Sequence, residues 1–266
     1  MTEPLIYEQN EGIVTLTINR PEERNALSDD LIFRAFVDAA ERINKDNSVR
    51  CVILTGKGKA FSAGGNVKHM RDKEGLFAGS PTELRQGYRH GIQKIPLAFY
   101  NLEVPTIAAV NGPAIGAGCD LACMCDIRIA GKSAKFGETF VALGIIPGDG
   151  GAWFLPRTIG RSRAAELTFT GDVIDAETAL EYGMVSRVVE DDDLLAAANE
   201  LAGRIARNPP HALRLSKKLM REGEHTRLDS LLEMSSAFQA LSHFTEDHME
   251  AIDAFFEKRP GDYKGK

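Results

Sequence analysis

The sequence predicts an α/β protein, and three observations carry that reading. Short β-prone apolar runs alternate with stretches of helical spacing over the first part of the chain. The segment PTIAAVNGPAIGAGCDLACMCDIRIA, Pro105 to Ala130, reads as strand, turn, helix start and second strand. Beyond Gly160 the pattern is mostly helical. A chain of 266 residues with 43% hydrophobic and 26% charged content can bury a large core, as one domain or one domain with a trailing helical part.

Taken in order, Leu5 to Tyr7 and Ile13 to Ile18 read as paired strands across the turn Asn10-Glu11-Gly12, and Arg20-Pro21 ends them. Ser28 is the expected N-cap of an amphipathic helix with apolar positions Leu31, Ile32, Phe36, Ala39 and Ile43. Cys51 to Leu54 follows as a buried strand, giving a β-β-α-β start. Met70 to Thr82 mixes charge with Gly, Ser and Pro and predicts a loop or broken helix. Thr82 to Tyr100 reads as helix, with Tyr88, Ile92, Ile95 and Phe99 at near-helical spacing, as suits either a core stripe or a ligand-facing one. Val185 to Val189 is a last strand before the acidic start Glu190 to Asp193. Helices are then expected over Ala212 to Glu222, Leu228 to Phe244 and Glu246 to Phe256.

Small residues at a helix start leave backbone N–H groups unpaired and unshielded, open to an electron-rich atom. Gly116, Ala117 and Gly118 make such a start, and Ala63-Gly64-Gly65 makes another before a helix beginning near Asn66. A carbonyl oxygen held between Gly65 N–H and Ala117 N–H would be polarised and, as an enolate oxygen, strongly stabilised; one such donor is typically worth about 2.7–4 kcal/mol. Two other readings of the glycines stay open: a dinucleotide loop, although GAGCDL lacks the third glycine of that fingerprint, and simple close packing of helix on strand.

A net charge of −6 argues against general nucleic-acid binding while leaving room for a small anionic ligand at a local basic patch. The N-terminal stretch lacks the basic and apolar regions of a leader, and no run is long enough to span a bilayer, so the expected location is cytoplasmic. Cys119, Cys123 and Cys125, three of four cysteines, crowd one apolar segment as buried thiols would; their spacing does not suit a zinc site, and no metal is expected.

The segments AFSAGGNVKHM and AAVNGPAIGAGCDLACMCDIRIA resemble the two oxyanion-hole segments of the enoyl-CoA hydratase/isomerase (crotonase) superfamily. INRPEERNALS, AKFGETFVALGIIPGDGGAWFLPRTIG, the run to Val189 and AFFEKRPGDYK continue the resemblance in family order over nearly the whole chain. It implies a crotonase-like spiral of repeated β-β-α units over residues 1–200 with the acyl-CoA site, and a helical trimerisation region over 201–266. It also implies trimers or pairs of trimers, and no cofactor beyond the coenzyme A of the substrate. By position the two oxyanion donors fall on Gly65 and Ala117. Phe255 and Lys258 match residues that contact the adenine end of coenzyme A, often from a neighbouring subunit, unless they are plain helix packing and a solvated surface charge. Ala63 is assigned to the coenzyme A site, and Lys68 either meets its phosphates or is a solvated helical lysine.

The carboxylates depart from the hydratase pattern. Of the two glutamates that add water, one falls on Asp120 and the other on Phe140, which exchanges no proton. Asp120, three residues after Ala117, would share its helix face and aim toward the hole; the plainer reading is an exposed first-turn acid complementing the dipole. Glu138 would share a strand face with Phe140 and is the nearest replacement. Asp149, in IIPGDGGAWF, lies in a loop where isomerase and dehalogenase members present an acid, unless it merely caps the next helix. Phe140 or Trp153 beside it would raise its pKa and suit it to proton transfer. His90 is a candidate base for a hydrolytic variant. Double-bond isomerisation is preferred on these grounds, with hydration, thioester hydrolysis or dehalogenation, and catalytically idle binding of CoA esters as alternatives.

Overall fold

In the computed structural model, which describes residues 3–266, the chain begins as the hairpin β1 (Leu5–Asn10) and β2 (Ile13–Ile18). Its two-residue turn puts Glu11 and Gly12 both at positive φ, the twist that lets two strands pair tightly. Helix α1 (Asp30–Lys45) follows, then β3 (Cys51–Gly56), the short α2 (Val67–Asp72), α3 (Pro81–His90), α4 (Lys94–Tyr100), β4 (Thr106–Val110) and β5 (Pro113–Ile115). Helix α5 (Ala117–Met124), β6 (Ile127–Gly131), β7 (Lys135–Gly137), α6 (Gly151–Ile159), α7 (Arg161–Thr170), β8 (Val173–Asp175), α8 (Ala176–Glu181) and β9 (Arg187–Val189) complete the mixed part. The rest is helical: α9 (Leu194–Ala206), α10 (Pro210–Gly223), α11 (Leu228–His243) and α12 (Glu246–Glu257).

Strands β1-β2-β3-β4-β6-β9 form one sheet, antiparallel at β1–β2 and parallel thereafter, and β5-β7-β8 form a second. The chain steps between the two sheets as it advances, so β4 enters the first and β5 the second with only two residues between them. Strand β3 is buried along its whole length because both faces are covered. Val52 and Leu54 face the core under α1 and α5, while Cys51 and Ile53 face Leu194, Ala198 and Ala202 of α9. No helix among the described residues is long and apolar enough to cross a membrane.

Several local expectations are corrected. Helix α1 is capped by Asp29, whose Oδ1 accepts from Leu31 and Ile32 N–H; Ser28 Oγ instead accepts from Asn66 N–H at 2.7 Å. Leu31 is therefore exposed, and Phe33 and Ala40 take the buried face with Ile32, Phe36, Ala39 and Ile43. The helix read over Thr82 to Tyr100 is two helices, broken at Gly91, where a Cβ would meet Gly87 O at 2.6 Å and the Phe33 ring at 3.1 Å. Ile92, Ile95 and Phe99 are core, and Tyr88 is half-buried at its edge. The Gly/Pro turn after β4 hides β5, too short to register as a period.

Candidate active site

Two loops meet side by side. Ser62 N–H donates to Pro113 C=O at 3.1 Å, and Ile115 N–H donates to Ser62 C=O at 3.0 Å. The approach needs glycine at two points: a Cβ on Gly118 would lie 2.1 Å from Ser62 O, and one on Gly64, at φ +73, 2.4 Å from Ile115 O and 3.0 Å from Ala117 N. Gly65 and Ala117 are thereby brought together at the starts of α2 and α5. Neither N–H makes a turn or loop hydrogen bond among the described residues. The Ala117 methyl is buried in the core, so its side chain does not screen its N–H. Met70 and Phe77 cover Gly65 from one side, and the Phe140 ring lies over Gly116 from the other.

An asparagine not singled out from the sequence supports this arrangement. Asn25, buried at φ +58, accepts from Arg20 N–H and donates to the carbonyls of Lys57 and Ala60, fixing the loop between β3 and Ser62. The signal is an Asn in a turn, a residue type that tolerates positive φ, but the two carbonyls it reaches lie 32 and 35 residues away and leave no local trace.

Behind the donors, three carboxyls converge. Asp120 is in the first turn of α5, Glu138 follows β7, and Asp149 precedes α6; all three are buried. Gly151 N–H donates to Asp120 Oδ2 at 3.0 Å. Asp120 Oδ1 and Glu138 Oε1 each lie 2.2 Å from where a Gly151 Cβ would stand, so only glycine leaves room for both acids. As carboxylates, Asp120 Oδ1, both Glu138 oxygens and Asp149 Oδ1 have no hydrogen-bond donor among the described residues, which leaves only one another's protons to satisfy them. Two buried carboxyls touch favourably only with a proton between them, so the group must hold protons at neutral pH. Burial first, then the charges of Asp149 and Glu138, hold the Asp120 carboxyl well above the usual carboxylate range. Burial pushes Glu138 up to about 7 and Asp149 up to about 6, each partly offset by a hydrogen bond from Asp120. Burial and the two neighbouring charges thus favour the protonated form of Asp120.

Glu138 and Phe140 do not share a strand face, because β7 ends at Gly137 and the chain turns into a 3-10 helix over Thr139–Leu143. That turn brings Glu138 inward and lays Phe140 over Gly116. Asp149 does not cap α6; Gly150 does, at φ +120. Trp153 is not its apolar neighbour either: it stacks at 4.9 Å from the His225 ring and under Arg157, on another side of α6. The aromatic beside Asp149 is Tyr88, whose own pKa is raised by burial and by the Asp149 charge. His90 is on the surface, hydrogen-bonded to Gln86 one turn earlier at 3.0 Å.

The positions assigned to coenzyme A are more scattered. Ala63 is half-buried and its N–H donates to Arg24 C=O at 2.9 Å, while Lys68 is exposed on α2. Phe255 and Lys258 are exposed at the end of α12 and are not brought to the carboxyls within this chain. All four cysteines are free and buried. Among the described residues no three His, Cys, Asp or Glu side chains are placed to hold a metal ion. A cavity of about 550 Å³ lies past the far end of α5, lined by Cys123, Trp153, Arg157, Lys217 and Arg221, and none of the three carboxyls lines it.

Comparison with known proteins matches residues 8–266 to the family described as Enoyl-CoA hydratase/isomerase. The chain is 39% identical over 265 residues to crotonyl-CoA hydratase of Syntrophomonas wolfei, covering 99% of each protein. It is 36% identical over 266 residues to 1,2-epoxyphenylacetyl-CoA isomerase of Escherichia coli, covering 100% of each. The crystal structure of an enoyl-CoA hydratase from Bacillus anthracis superimposes with a TM-score of 0.92 at 37% identity, over 99% of this chain and 100% of that one.

Proposed function

The chain belongs to the enoyl-CoA hydratase/isomerase family, and from that premise we propose that it isomerises the double bond of an acyl-CoA thioester through an enolate. The observation that supports this reading is the group of three buried carboxyls, two of them pushed up by burial to about 6 and about 7, one of which stands in the helix that Ala117 opens. The thioester carbonyl oxygen lies between Gly65 and Ala117 N–H. Asp149 as carboxylate takes the proton from the α or γ carbon, the two N–H groups hold the charge on oxygen, and the carboxyl returns the proton at the other end of the allyl system. A carboxyl with a pKa near the working pH does both halves of this exchange, whereas one at its ordinary value releases the proton too readily to return it. Asp120, kept protonated, steadies Asp149 or Glu138 as each ionises. Phe140 places an apolar ring at the mouth of the hole, so proton return competes with no oriented water there.

Hydration is the second reading, favoured by the burial of Glu138 against Asp120, which supplies two carboxyls to orient one water. Ala63 and Lys68 line the coenzyme A path. The helical region 201–266 assembles trimers or pairs of trimers through the apolar side chains that α11 and α12 leave exposed, among them Leu232, Phe244 and Phe255, with Phe255 and Lys258 completing a neighbour's adenine site. Proton transfer is the whole chemistry, without metal or redox cofactor, in a reducing cytoplasm that keeps the four thiols free.

Mass spectrometry of 2-enoyl- and 3-enoyl-CoA incubated with the protein in D2O separates the readings. Conversion of 3-enoyl to 2-enoyl-CoA with at most proton exchange is the expected result. Addition of solvent mass favours hydration by Asp120 and Glu138. Release of free CoA, or of halide from an aryl-CoA, assigns Asp149 a nucleophilic role instead.

A further inference from the structure

The acid that moves the proton sits in a loop, Pro147 to Gly150, which α6 holds only at its end, where Gly150 C=O accepts from Trp153 N–H at 2.9 Å and Phe154 N–H at 3.0 Å. What holds the rest is the break between α3 and α4. Gln93 Nε2 donates to Gly148 C=O at 2.7 Å across 55 residues of sequence. Gln93 is itself tied down by its own N–H, which donates to Tyr88 C=O at 3.0 Å and closes the turn around Gly91. The Tyr88 ring lies against the same peptide, with Cε1 3.3 Å from where a Gly148 Cβ would stand. Pro96, in the first turn of α4, lies 3.3 Å from the corresponding point on Gly150. Three side chains from one nine-residue stretch thus bracket Asp149 on both sides, and Phe154 of α6 backs Gly150 from beneath at 3.2 Å.

We propose that Gln93, with Tyr88, is a positioning residue for the reaction: it fixes the Gly148 peptide so that the Asp149 carboxyl faces Asp120 and the substrate carbon rather than solvent. The proposal rests on the reading of Asp149 as the acting acid and adds the group that aims it. Glycines flank the acid on both sides, and while α6 fixes Gly150 through its C=O, the Gly148 side makes no backbone hydrogen bond among the described residues and takes its anchor from Gln93. One side-chain amide to one carbonyl is the only polar contact made across to that loop from α3 or α4 among the described residues. A displacement of about 1 Å at a reacting group costs on the order of 100-fold in rate, so the anchor matters even though Gln93 touches no substrate.

Three variants test this in the full chain, against the enoyl-CoA substrate and with CoA-ester affinity and circular dichroism as folding controls. Asp149→Asn is made first, and a loss of about 100-fold or more in kcat supports the parent reading. Gln93→Leu, of similar bulk but with no donor, is then expected to lower kcat by about 10–100-fold with KM nearly unchanged, and to shift the pH limb set by Asp149 and the Asp120, Glu138 and Tyr88 groups facing it. Gln93→Glu can donate to Gly148 only when its carboxyl is protonated. Its activity is therefore expected to recover as pH falls, a behaviour that a merely structural role does not produce. Should either glutamine variant fail to fold, Tyr88→Leu removes the second contact and carries the same expectation for kcat and the pH limb. An inactive Asp149→Asn together with a Gln93→Leu of wild-type kcat and pH profile overturns the positioning role alone. An active Asp149→Asn overturns the acid assignment, and the positioning role with it.

Discussion

The two ends of α5 treat buried charge in opposite ways. Just past its C-terminus, the Arg128 guanidinium donates to the carbonyls of Met184, Ala122 and Cys125, and Lys217 Nζ meets Asp126 Oδ2 at 2.7 Å and Val104 C=O at 2.9 Å. Nearby, Arg214 of α10 bonds Glu103 and the carbonyls of Asp46 and Val49. Each cation there is partnered, and the contacts dock the helical region onto the base of the large sheet. At the N-terminus of the same helix, eight residues away, three carboxyls are buried with no cation, and four of their oxygens have no donor. A buried charge without a partner costs stability, and the cheapest escape is to keep a proton. The first arrangement holds the fold together; the second weakens it and in return supplies groups that take up and release protons near neutral pH.

The sharpest way to break the comparison is to neutralise the acids. Asp120→Asn or Asp149→Asn is expected to lower kcat by about 10²–10⁴-fold, measured by steady-state conversion of the enoyl-CoA, because the proton carrier or its partner is gone. Gly151→Ala leaves every acid in place but inserts a Cβ 2.2 Å from both Asp120 Oδ1 and Glu138 Oε1. Spreading the group should reduce kcat by about 10–100-fold without touching a titratable side chain; an alanine enzyme of full activity would show that the three carboxyls act separately.

At the other end the same kind of change should act on stability instead. Arg214→Met strands the carbonyls of Asp46 and Val49, and urea unfolding should show a loss of about 1–3 kcal/mol while kcat of the folded fraction stays unchanged. The acids carry the opposite sign. A carboxyl whose folded pKa is raised binds its proton more tightly in the native state, so its stability contribution is present at low pH and is lost as pH climbs, for Asp149 from about 4, its ordinary value, to about 6. Asp149→Asn should therefore raise stability by about 1–3 kcal/mol at pH 8 and by nothing measurable at pH 4, in thermal melts at the two pH values. The smallest effect is expected at His90→Ala. Its ring is on the surface and hydrogen-bonds Gln86, so kcat should change less than about twofold and stability by under about 0.5 kcal/mol.

Much of the fold was legible because it rests on local pattern. The buried run Cys51 to Leu54, the hairpin at Asn10 to Gly12 and the C-terminal helices are set by apolar period, turn residues and proline, all of which act within a few residues. The cap of α1 moved from Ser28 to Asp29 because both residue types cap well and the choice fell to Asn66, nearly forty residues on, which takes Ser28 Oγ. Glu138 reaches the other acids by a route that its spacing from Phe140 does not predict. Strand β7 stops after three residues, paired with β5 and β8, and the 3-10 turn that follows carries Glu138 inward.

By itself the sequence determined the α/β alternation and the glycine-opened helix starts at Gly65 and Ala117, both written in residue type at short range, where backbone sterics and side-chain period decide the outcome. The family was legible too, through the resemblance of several motifs in order along the chain. Only the tertiary structure decided that Asp120, Glu138 and Asp149 share one buried space, that Gly151 is what leaves room for them, and that Gln93 reaches Gly148. Those groups come from four separate elements, and what their meeting does to each pKa depends on burial and mutual charge, which act through space and are set by no single stretch of chain.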